Sequence, residues 1–354
     1  MNPFVYELPS TQDAAVASLA GGNAVYCVAG GTNLLDLMKS RLARPRLLVD
    51  INRLPLRSIV VGEDNALHLG ALARNADTAE NSVVRDRYPL LRAAILAGAS
   101  PQIRNMASNG GNLLQRTRCV YFQDPGVPCN KRQPGSGCPA VQGLARQHAI
   151  FGASDACAAT HPSDMCVALA ALDAVVHVVG PYGARAIPFG EFHRLPGNDP
   201  HLDTTLAADE LITEIQIADA TQFAQHSCYW KVRERSSYAF ALVSVAAALD
   251  LADDGSIRAV RIALGGVAAK PWRDRQVEMA LTGRPATTAS FTEAADALML
   301  GARPVGDATR SQNTSNAFKI PMARRAIVRA LEMATAGVTS NTGEDAARAR
   351  GEST

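Results

Sequence analysis

The sequence predicts an α+β protein built from two domains. Its 354 residues correspond to about two domains of typical size. The composition, 47% hydrophobic and 19% charged, lies in the range of globular proteins. Strand-like and helix-like segments alternate through residues 1–221, and beyond residue 222 a turn signal at residues 253–256 (DDGS) joins two strand-like segments. That turn favours an antiparallel hairpin in a second domain.

These patterns divide the chain into three parts. We place the first domain at residues 1–221, a C-terminal α+β domain at 222–333 and a disordered tail at 334–354. The tail has almost no large apolar residues, which is typical of disorder. An insertion at about 115–158 is rich in Gly, Pro, Asn, Arg and Cys. A loop of this length inside a compact domain is usually functional or disordered.

Apolar periodicity predicts the elements of each domain in order. A strand, a helix and a strand at residues 24–29, 34–41 and 47–51 form a β-turn-α-β unit. The remaining elements of the first domain are an antiparallel pair at 58–61 and 66–70, helices at 90–97 and 164–172, and a strand at 174–179. The second domain has strands at 229–233, 239–250 and 257–264, and helices at 276–282, 292–300 and 322–334.

Charge, hydropathy and cysteine content exclude several classes of protein. The net charge is +2, from 35 basic and 33 acidic residues, so the chain lacks the basic character of a nucleic-acid-binding protein or of a protein bound to anionic membranes. No apolar run reaches the ~20 residues of a membrane span, and the N-terminus lacks the features of a signal peptide. Seven cysteines, an odd number in a long chain, argue against a secreted disulfide framework.

Residues 28–35 (VAGGTNLL) place paired glycines between the first predicted strand and helix. Glycine lets the backbone approach a ligand closely and adopt positive φ. Thr32 and Asn33 are suited to cap the following helix, whose free N–H groups could bind a pyrophosphate. A tight turn with a good N-cap explains the same residues without any ligand, and the pattern differs from G-x-G-x-x-G.

Two further segments repeat this theme. Residues 106–114 (MASNGGNLL) again place Gly-Gly beside amide side chains, and two such loops could hold one dinucleotide from both sides. Residues 160–164 (THPSD) precede an Ala-rich helix, which Ser163 or Thr160 can cap. Asp164 is either a first-turn acid that complements the helix dipole or an acceptor for ligand hydroxyls.

Four cysteines lie in the irregular insertion, with the spacing C-x9-C-x8-C-x18-C. Four thiolates suit a tetrahedral zinc ion or a [4Fe–4S] cluster, and the spacing alone leaves both open, although most structural zinc sites contain C-x2-C. Nearby cations could offset the thiolate charge, and His148 and His161 are possible further ligands. The four cysteines are Cys119, Cys129, Cys138 and Cys157, and the cations are Arg116, Arg118, Lys131 and Arg132. Cys27, Cys166 and Cys228 are interpreted as core thiols.

Several motifs together resemble the FAD-binding subunit of molybdenum hydroxylases, the xanthine dehydrogenase and aldehyde oxidoreductase family, whose flavin fold is shared with vanillyl-alcohol oxidase. In the first domain these are residues 29–34 (AGGTNL), 102–105 (QIRN), 108–113 (SNGGNL) and 161–164 (HPSD). In the second they are 264–268 (LGGVA), 270–273 (KPWR) and 316–321 (NAFKIP). The resemblance covers about residues 1–332 and implies a two-subdomain FAD-binding fold followed by a small α+β domain.

The resemblance implies an FAD site. The first glycine loop would cradle the pyrophosphate, the second loop would face it, Asp164 would accept from ribityl hydroxyls, and three residues without a local motif would border the ring systems. The first-loop residues are Tyr26, Cys27, Val28, Ala29, Gly30, Gly31, Thr32, Asn33 and Leu34. The second-loop residues are Ser108, Gly111 and Asn112, with Thr117 nearby. The three bordering residues are Ile212, Trp230 and Lys231.

The cysteine insertion resembles that of the [4Fe–4S]-containing flavin subunit of bacterial periplasmic aldehyde oxidoreductases. This implies a cluster bound by Cys119, Cys129, Cys138 and Cys157, and an electron-transfer subunit of a heterotrimer. Its partners would be a large molybdenum-cofactor subunit and a small [2Fe–2S] subunit. The chain would reach the periplasm by co-export with a signal-bearing partner; the alternative is the cytoplasm. Alternative functions are a stand-alone FAD-dependent oxidase of the same fold and a zinc-binding interaction module.

Overall fold

A computed structural model describes residues 2–22, 24–306 and 314–337. The chain begins with a three-stranded parallel sheet of β1 (Val5–Glu7), β2 (Val25–Val28) and β3 (Leu47–Asp50) in the order β1-β3-β2. Helix α1 (Gln12–Leu19) is N-capped by Thr11, and α2 (Leu34–Lys39) joins β2 to β3. The predicted β-turn-α-β unit is therefore present, and its β2-to-α2 turn carries the first glycine loop.

A five-stranded antiparallel sheet completes the first domain, with the strand order β4-β5-β8-β6-β7. Its strands are β4 (Ile59–Val61), β5 (Leu67–Gly70), β6 (Val175–Gly180), β7 (Gly183–Pro188) and β8 (Leu211–Ile217). Helices pack against this sheet to form the largest apolar core. The helices of this part are α3 (Asn75–Glu80), α4 (Ser82–Arg87), α5 (Pro89–Ala97), α6 (Pro101–Arg104), α7 (Asn109–Leu113), α8 (Val120–Gln123), α9 (Asp164–Ala171) and α10 (Phe189–Phe192).

The C-terminal domain is a three-stranded antiparallel sheet covered by helices. The strand order is β11-β10-β9, formed by β9 (Ser227–Val232), β10 (Val243–Leu251) and β11 (Ile257–Gly265). The helices are α11 (Arg275–Leu281), α12 (Thr288–Leu298) and α13 (Lys319–Thr335), and they enclose a second apolar core. The predicted DDGS hairpin connects β10 and β11.

The observed fold confirms the predicted α+β class, and the differences from the predictions are local. The sequence patterns missed β1, β7 and β8, together with helices α1, α3 and α4 and the short helices α6, α7, α8 and α10. Helix α13 runs to Thr335, past the predicted domain end at residue 333, because Ala330, Leu331 and Ala334 pack into the core. The rest of the predicted tail, from residue 338, lies outside the described residues.

Candidate cofactor sites

The first glycine loop is shaped by close backbone contact with the second loop. A Cβ atom on Gly30 would lie 1.8 Å from the carbonyl oxygen of Met106, so only glycine fits there. Gly31 has a φ of +71°, which glycine adopts without strain. Asn33 begins helix α2, but its side chain does not cap the helix. Its Oδ1 instead accepts from the Arg116 backbone N–H at 3.0 Å, which corrects the predicted capping role.

The second glycine loop is tied to the first domain by side-chain hydrogen bonds. Ser108 caps α7 by accepting from Gly111 N–H at 3.2 Å. Asn112 donates to Asn75 Oδ1 at 2.7 Å and accepts from Ser163 Oγ at 2.6 Å. Ser163 also caps helix α9, as the sequence predicts. The second glycine loop and the THPSD segment are therefore held together at one place.

Two large cavities meet at these loops. The loop cavity has a volume of about 480 Å³. It is lined by every residue of the first loop that is predicted to bind FAD, together with Ser108, Gly111 and Ile212. The domain cavity, about 520 Å³, lies between the two domains and is lined by Asn112, Asp164 and Lys231. The residues that line both cavities are Thr32, Asn33, Gly111 and Gln115. An extended ligand crossing the loops would occupy both cavities.

A buried ionic network forms one wall of the domain cavity. Asp164 accepts from Lys231 Nζ at 2.8 Å and from the Tyr229 hydroxyl at 2.7 Å. Tyr229 also bonds to Ser244 Oγ at 3.0 Å, and Lys231 also donates to the carbonyl of Ala97. Burial raises the pKa of Tyr229 well above its ordinary value, so its hydroxyl stays a donor to the carboxylate. Asp164 thus joins the two domains at the cavity.

Two residues predicted to contact FAD lie outside these cavities. Neighbouring residues of a strand point to opposite faces. Lys231 faces the domain cavity, and Trp230 packs against the core of the C-terminal domain. Thr117 is buried, and its hydroxyl accepts from Cys119 N–H at 3.3 Å. Thr117 therefore contacts the start of the cysteine insertion, and neither Trp230 nor Thr117 lines the loop cavity or the domain cavity.

The four cysteines of the insertion converge on one small pocket. Cys119, Cys129, Cys138 and Cys157 all line the cysteine pocket, and all four are free thiols. Burial raises the pKa of Cys119 to about 11 and also raises that of Cys157, so a metal has to displace the thiol protons on binding. The free space is about 10 Å³. The pocket must therefore widen to admit a cluster.

The cations of the insertion act mainly on neighbouring protein groups. Buried Lys131 pairs with Asp203 and donates to the carbonyl of Pro200 at 2.7 Å. Lys131 also counteracts the effect of burial on the pKa of Cys157. Arg116 pairs with the same Asp203 at 2.5 Å. Arg132 donates to the carbonyls of Tyr121, Phe122 and Val127, and Arg118 lies over the ring of Phe240. Asp203 therefore neutralises part of the charge predicted to offset the thiolates.

His148 and His161 occupy different environments. His148 Nε2 lies 3.1 Å from Cys119 Sγ, and burial lowers the pKa of His148 to about 4, so its imidazole is neutral at pH 7. His161 packs against His193 with ring centres 4.3 Å apart and ring planes tilted by 48°, and the ligand atoms of His161, His193 and Cys166 lie within 4.8 Å of one another. Two imidazoles on one tetrahedral zinc have centres about 5 Å apart, given Zn–N bonds of about 2 Å. The His161 and His193 rings therefore lie slightly closer together than two zinc-bound imidazoles.

A further cavity of about 320 Å³ connects these regions. This side cavity is lined by Cys119 and His148 at one end and shares Arg118, Ser163, Asp164 and Phe240 with the domain cavity. Of the four cysteines in the cysteine pocket, Cys119 is the one that also lines the side cavity. It is the thiol nearest to the route between the cysteine pocket and the domain cavity.

Sequence reasoning missed several residues that organise these sites. Asp203 and Tyr229 make the ion pair and hydrogen bonds described above, but no local pattern distinguishes them. Asn316 and Lys319 belong to the NAFKIP segment, and both bond to the carbonyl of His148. A lysine and an asparagine at the start of an apolar helix are the only signal that could have indicated buried polar contacts there.

Comparisons with known proteins identify the family. Residues 2–218 match the family model "FAD binding domain in molybdopterin dehydrogenase", and residues 228–334 match "CO dehydrogenase flavoprotein C-terminal domain". The chain is 46% identical to the aldehyde oxidoreductase FAD-binding subunit PaoB of Escherichia coli K12, over 95% of this chain and 99% of that one. It is 28% identical to the glyceraldehyde dehydrogenase medium chain of Sulfolobus acidocaldarius, over 79% and 82% of the two chains.

Solved structures agree with this assignment. A chain of carbon monoxide dehydrogenase from Hydrogenophaga pseudoflava superposes with a TM-score of 0.72 and 28% identity, covering 95% of this chain and 99% of that one. Within the described residues, no helix has the length and apolar character required to cross a bilayer. The two family models together span both domains and include both glycine loops. The chain belongs to the FAD-binding subunits of the molybdenum hydroxylase family.

Proposed function

We propose that this chain is the FAD and [4Fe–4S] electron-transfer subunit of a heterotrimeric, molybdenum-dependent aldehyde oxidoreductase. Substrate oxidation would take place on the large molybdenum-cofactor subunit, and electrons would arrive through the small [2Fe–2S] subunit. The external acceptor would receive them from this chain. The aldehyde substrate class is inferred from the 46% identity to an aldehyde oxidoreductase subunit over almost the full length of both chains.

The paired glycine loops carry the FAD part of the proposal. Gly30, Gly31 and Ser108 line the loop cavity, and Gly111 lines both the loop cavity and the domain cavity, which leaves backbone and small side chains next to the ligand. Such a surface suits a pyrophosphate, because backbone N–H groups can approach its oxygens closely. Bound there, FAD would supply a centre that exchanges electrons singly or in pairs. Lys231 and Asp164 would orient the ring system in the domain cavity.

The four converging cysteines carry the cluster part. Within the described residues, no three of these sulfurs lie within 4.8 Å of one another. Tetrahedral zinc with Zn–S bonds of about 2.3 Å would hold its sulfurs about 3.8 Å apart. A four-iron cluster separates its cysteine ligands more widely, because each cysteine binds a different iron atom. Four cysteines supply one thiolate for each iron of such a cluster, and this, together with the resemblance of the insertion, supports the cluster over a single zinc ion.

The partners are proposed from the relatives, and the compartment is proposed from the sequence. Two relatives are named as a subunit and a medium chain of larger enzymes, which supports assembly with a large and a small subunit. Periplasmic location by co-export with a signal-bearing partner rests on the resemblance of the insertion. Fractionation of cells that express all three subunits tests it. Recovery of the complex with cytoplasmic proteins would favour the alternative location.

The decisive experiment is the visible spectrum of the purified complex, with metal analysis of this subunit. We expect flavin bands, a broad iron–sulfur shoulder and about four irons in this chain. Cys129→Ser should lose that iron and keep FAD, whereas the control Cys228→Ser, in the C-terminal core, should keep both. One zinc without iron would support an interaction module instead. Aldehyde turnover by this chain alone would support a stand-alone oxidase.

A further inference from the structure

His148 is placed to act on one ligand of the proposed cluster. Its Nε2 atom lies 3.1 Å from Cys119 Sγ, and the residue is buried. An iron-bound thiolate can only accept a hydrogen bond, so the imidazole nitrogen at hydrogen-bonding distance from it has to supply the N–H. The proton of His148 therefore has to be on Nε2 when Cys119 binds iron. Its Nδ1 atom is buried without a hydrogen-bond partner, so no competing donor or acceptor reorients the ring.

The C-terminal domain holds His148 in this position. The carbonyl of His148 accepts from Lys319 Nζ at 3.0 Å and from Asn316 Nδ2 at 2.9 Å. Its N–H donates to the carbonyl of Ala145 at 2.9 Å. Lys319 is fully buried, and its second bond, to the carbonyl of Gly266 at 2.8 Å, fixes it to the end of β11. The imidazole is thus positioned by a different domain from the one that contributes the cysteines.

We infer that His148 is a positioning residue that donates an Nε2–H···Sγ hydrogen bond to Cys119 and raises the reduction potential of the cluster. This inference rests on the proposed cluster. One-electron reduction adds negative charge to the cluster and its sulfurs, and a fixed N–H stabilises that charge more in the reduced than in the oxidised state. No proton moves in this step.

The location of the bond gives it a role in electron transfer. Cys119 and His148 line both the cysteine pocket and the side cavity, and the side cavity shares Asp164 with the domain cavity. The hydrogen bond therefore acts on the cluster ligand that faces the proposed flavin site. A higher reduction potential would favour reduction of the cluster, whose Cys119 ligand faces the proposed flavin site.

The test is an electron paramagnetic resonance redox titration of the cluster in the purified complex. His148→Phe removes the donor and should shift the midpoint potential to a more negative value with iron content unchanged. His148→Gln keeps an N–H donor and should shift it less. His177→Phe is the control, because His177 pairs with Gln216 in the five-stranded sheet; its potential should equal that of the wild type. An unchanged midpoint in iron-loaded His148→Phe overturns the inference.

A measurement on the wild-type chain covers the case in which His148→Phe fails to fold. With ¹⁵N-labelled histidine, the reduced cluster should show a hyperfine coupling to one imidazole nitrogen. An iron-loaded wild type without this coupling overturns the inference, whatever the variants do. A wild type without cluster iron contradicts the proposed function instead, so the two failures are distinguishable.

Discussion

The two glycine loops and the cysteine insertion reach a defined geometry by different means. The glycine loops join regular elements, and backbone contact between Gly30 and Met106 sets their distance. The insertion has only short helices, and side chains hold it: Lys131 and Arg116 through Asp203, and Arg132 through three carbonyls. Backbone contact makes the first site sensitive to added volume. Ion pairs and hydrogen bonds make the cysteine insertion sensitive to loss of charge.

The largest effect is expected from Gly30→Ala. The added methyl carbon would lie 1.8 Å from the Met106 oxygen and 2.6 Å from its carbonyl carbon, so the two loops must separate. Overpacking of this kind costs about 1–3 kcal/mol or more. We therefore expect FAD affinity to fall by about tenfold to a hundredfold, with the iron content of the insertion unchanged. Flavin fluorescence titration and iron analysis measure the two quantities.

Gly190→Ala is the matched control for Gly30→Ala. A Cβ atom on Gly190 meets nothing within 4 Å, and its φ is not positive. This variant should bind FAD with wild-type affinity. Equal FAD affinity in Gly30→Ala and the wild type would show that the backbone contact does not control the site.

Removing Asp203, the ionic partner of Lys131 and Arg116 in the insertion, should have the next largest effect. Asp203→Ala leaves Lys131 buried without its ionic partner, and breaking such a pair costs about 3 kcal/mol. We expect a lower urea midpoint and loss of iron, with FAD retained. Asp296→Ala removes a surface pair with Arg324 and should change neither cofactor. Full iron occupancy in Asp203→Ala would show that the insertion does not depend on this pair.

Loss of one hydrogen bond in the network between the domains should have a smaller effect. Tyr229→Phe removes a buried hydroxyl that donates to Asp164, and a hydrogen bond to a charged group contributes about 1.5–3 kcal/mol. The control Tyr88→Phe removes a bond to the neutral carbonyl of Ala218 at 3.3 Å, worth about 1 kcal/mol. Urea unfolding of both variants measures the difference. If Tyr229→Phe lost less free energy of unfolding than Tyr88→Phe, the network would not be an important source of stability.

The smallest expected effect is the contribution of Lys319 to the pH dependence of stability. Burial lowers its pKa to about 7 from 10.5, so between these values the unfolded chain binds more protons than the folded one. Stability therefore rises with pH above 7, by at most about 1.4 kcal/mol per pH unit. Lys319→Met should remove this contribution, so its urea midpoint should depend less steeply than that of the wild type on pH between 7 and 8.5. Identical pH dependence would mean that Lys319 keeps its proton.

Local patterns predicted the elements that carry the first glycine loop and most of the C-terminal domain. Residues 24–29, 34–41 and 47–51 correspond to β2, α2 and β3 within one or two residues, because hydrophobic period and glycine position are local properties. The missed strand β7 is mostly exposed, so its residues lack the apolar alternation of a half-buried strand. The capping role of Asn33 failed because a distant backbone N–H, that of Arg116, competes for its side chain.

The sequence by itself determined the α+β class, the two glycine loops and the group of four cysteines, because each depends on residue type and short spacing. Only the tertiary structure decided that Lys231 rather than Trp230 faces the domain cavity, that Asp203 takes up the charge of Lys131 and Arg116, and that His148 touches Cys119. Each of these contacts joins residues far apart in the chain. Their distances depend on how sheets and helices pack around two separate cores, which no local pattern records.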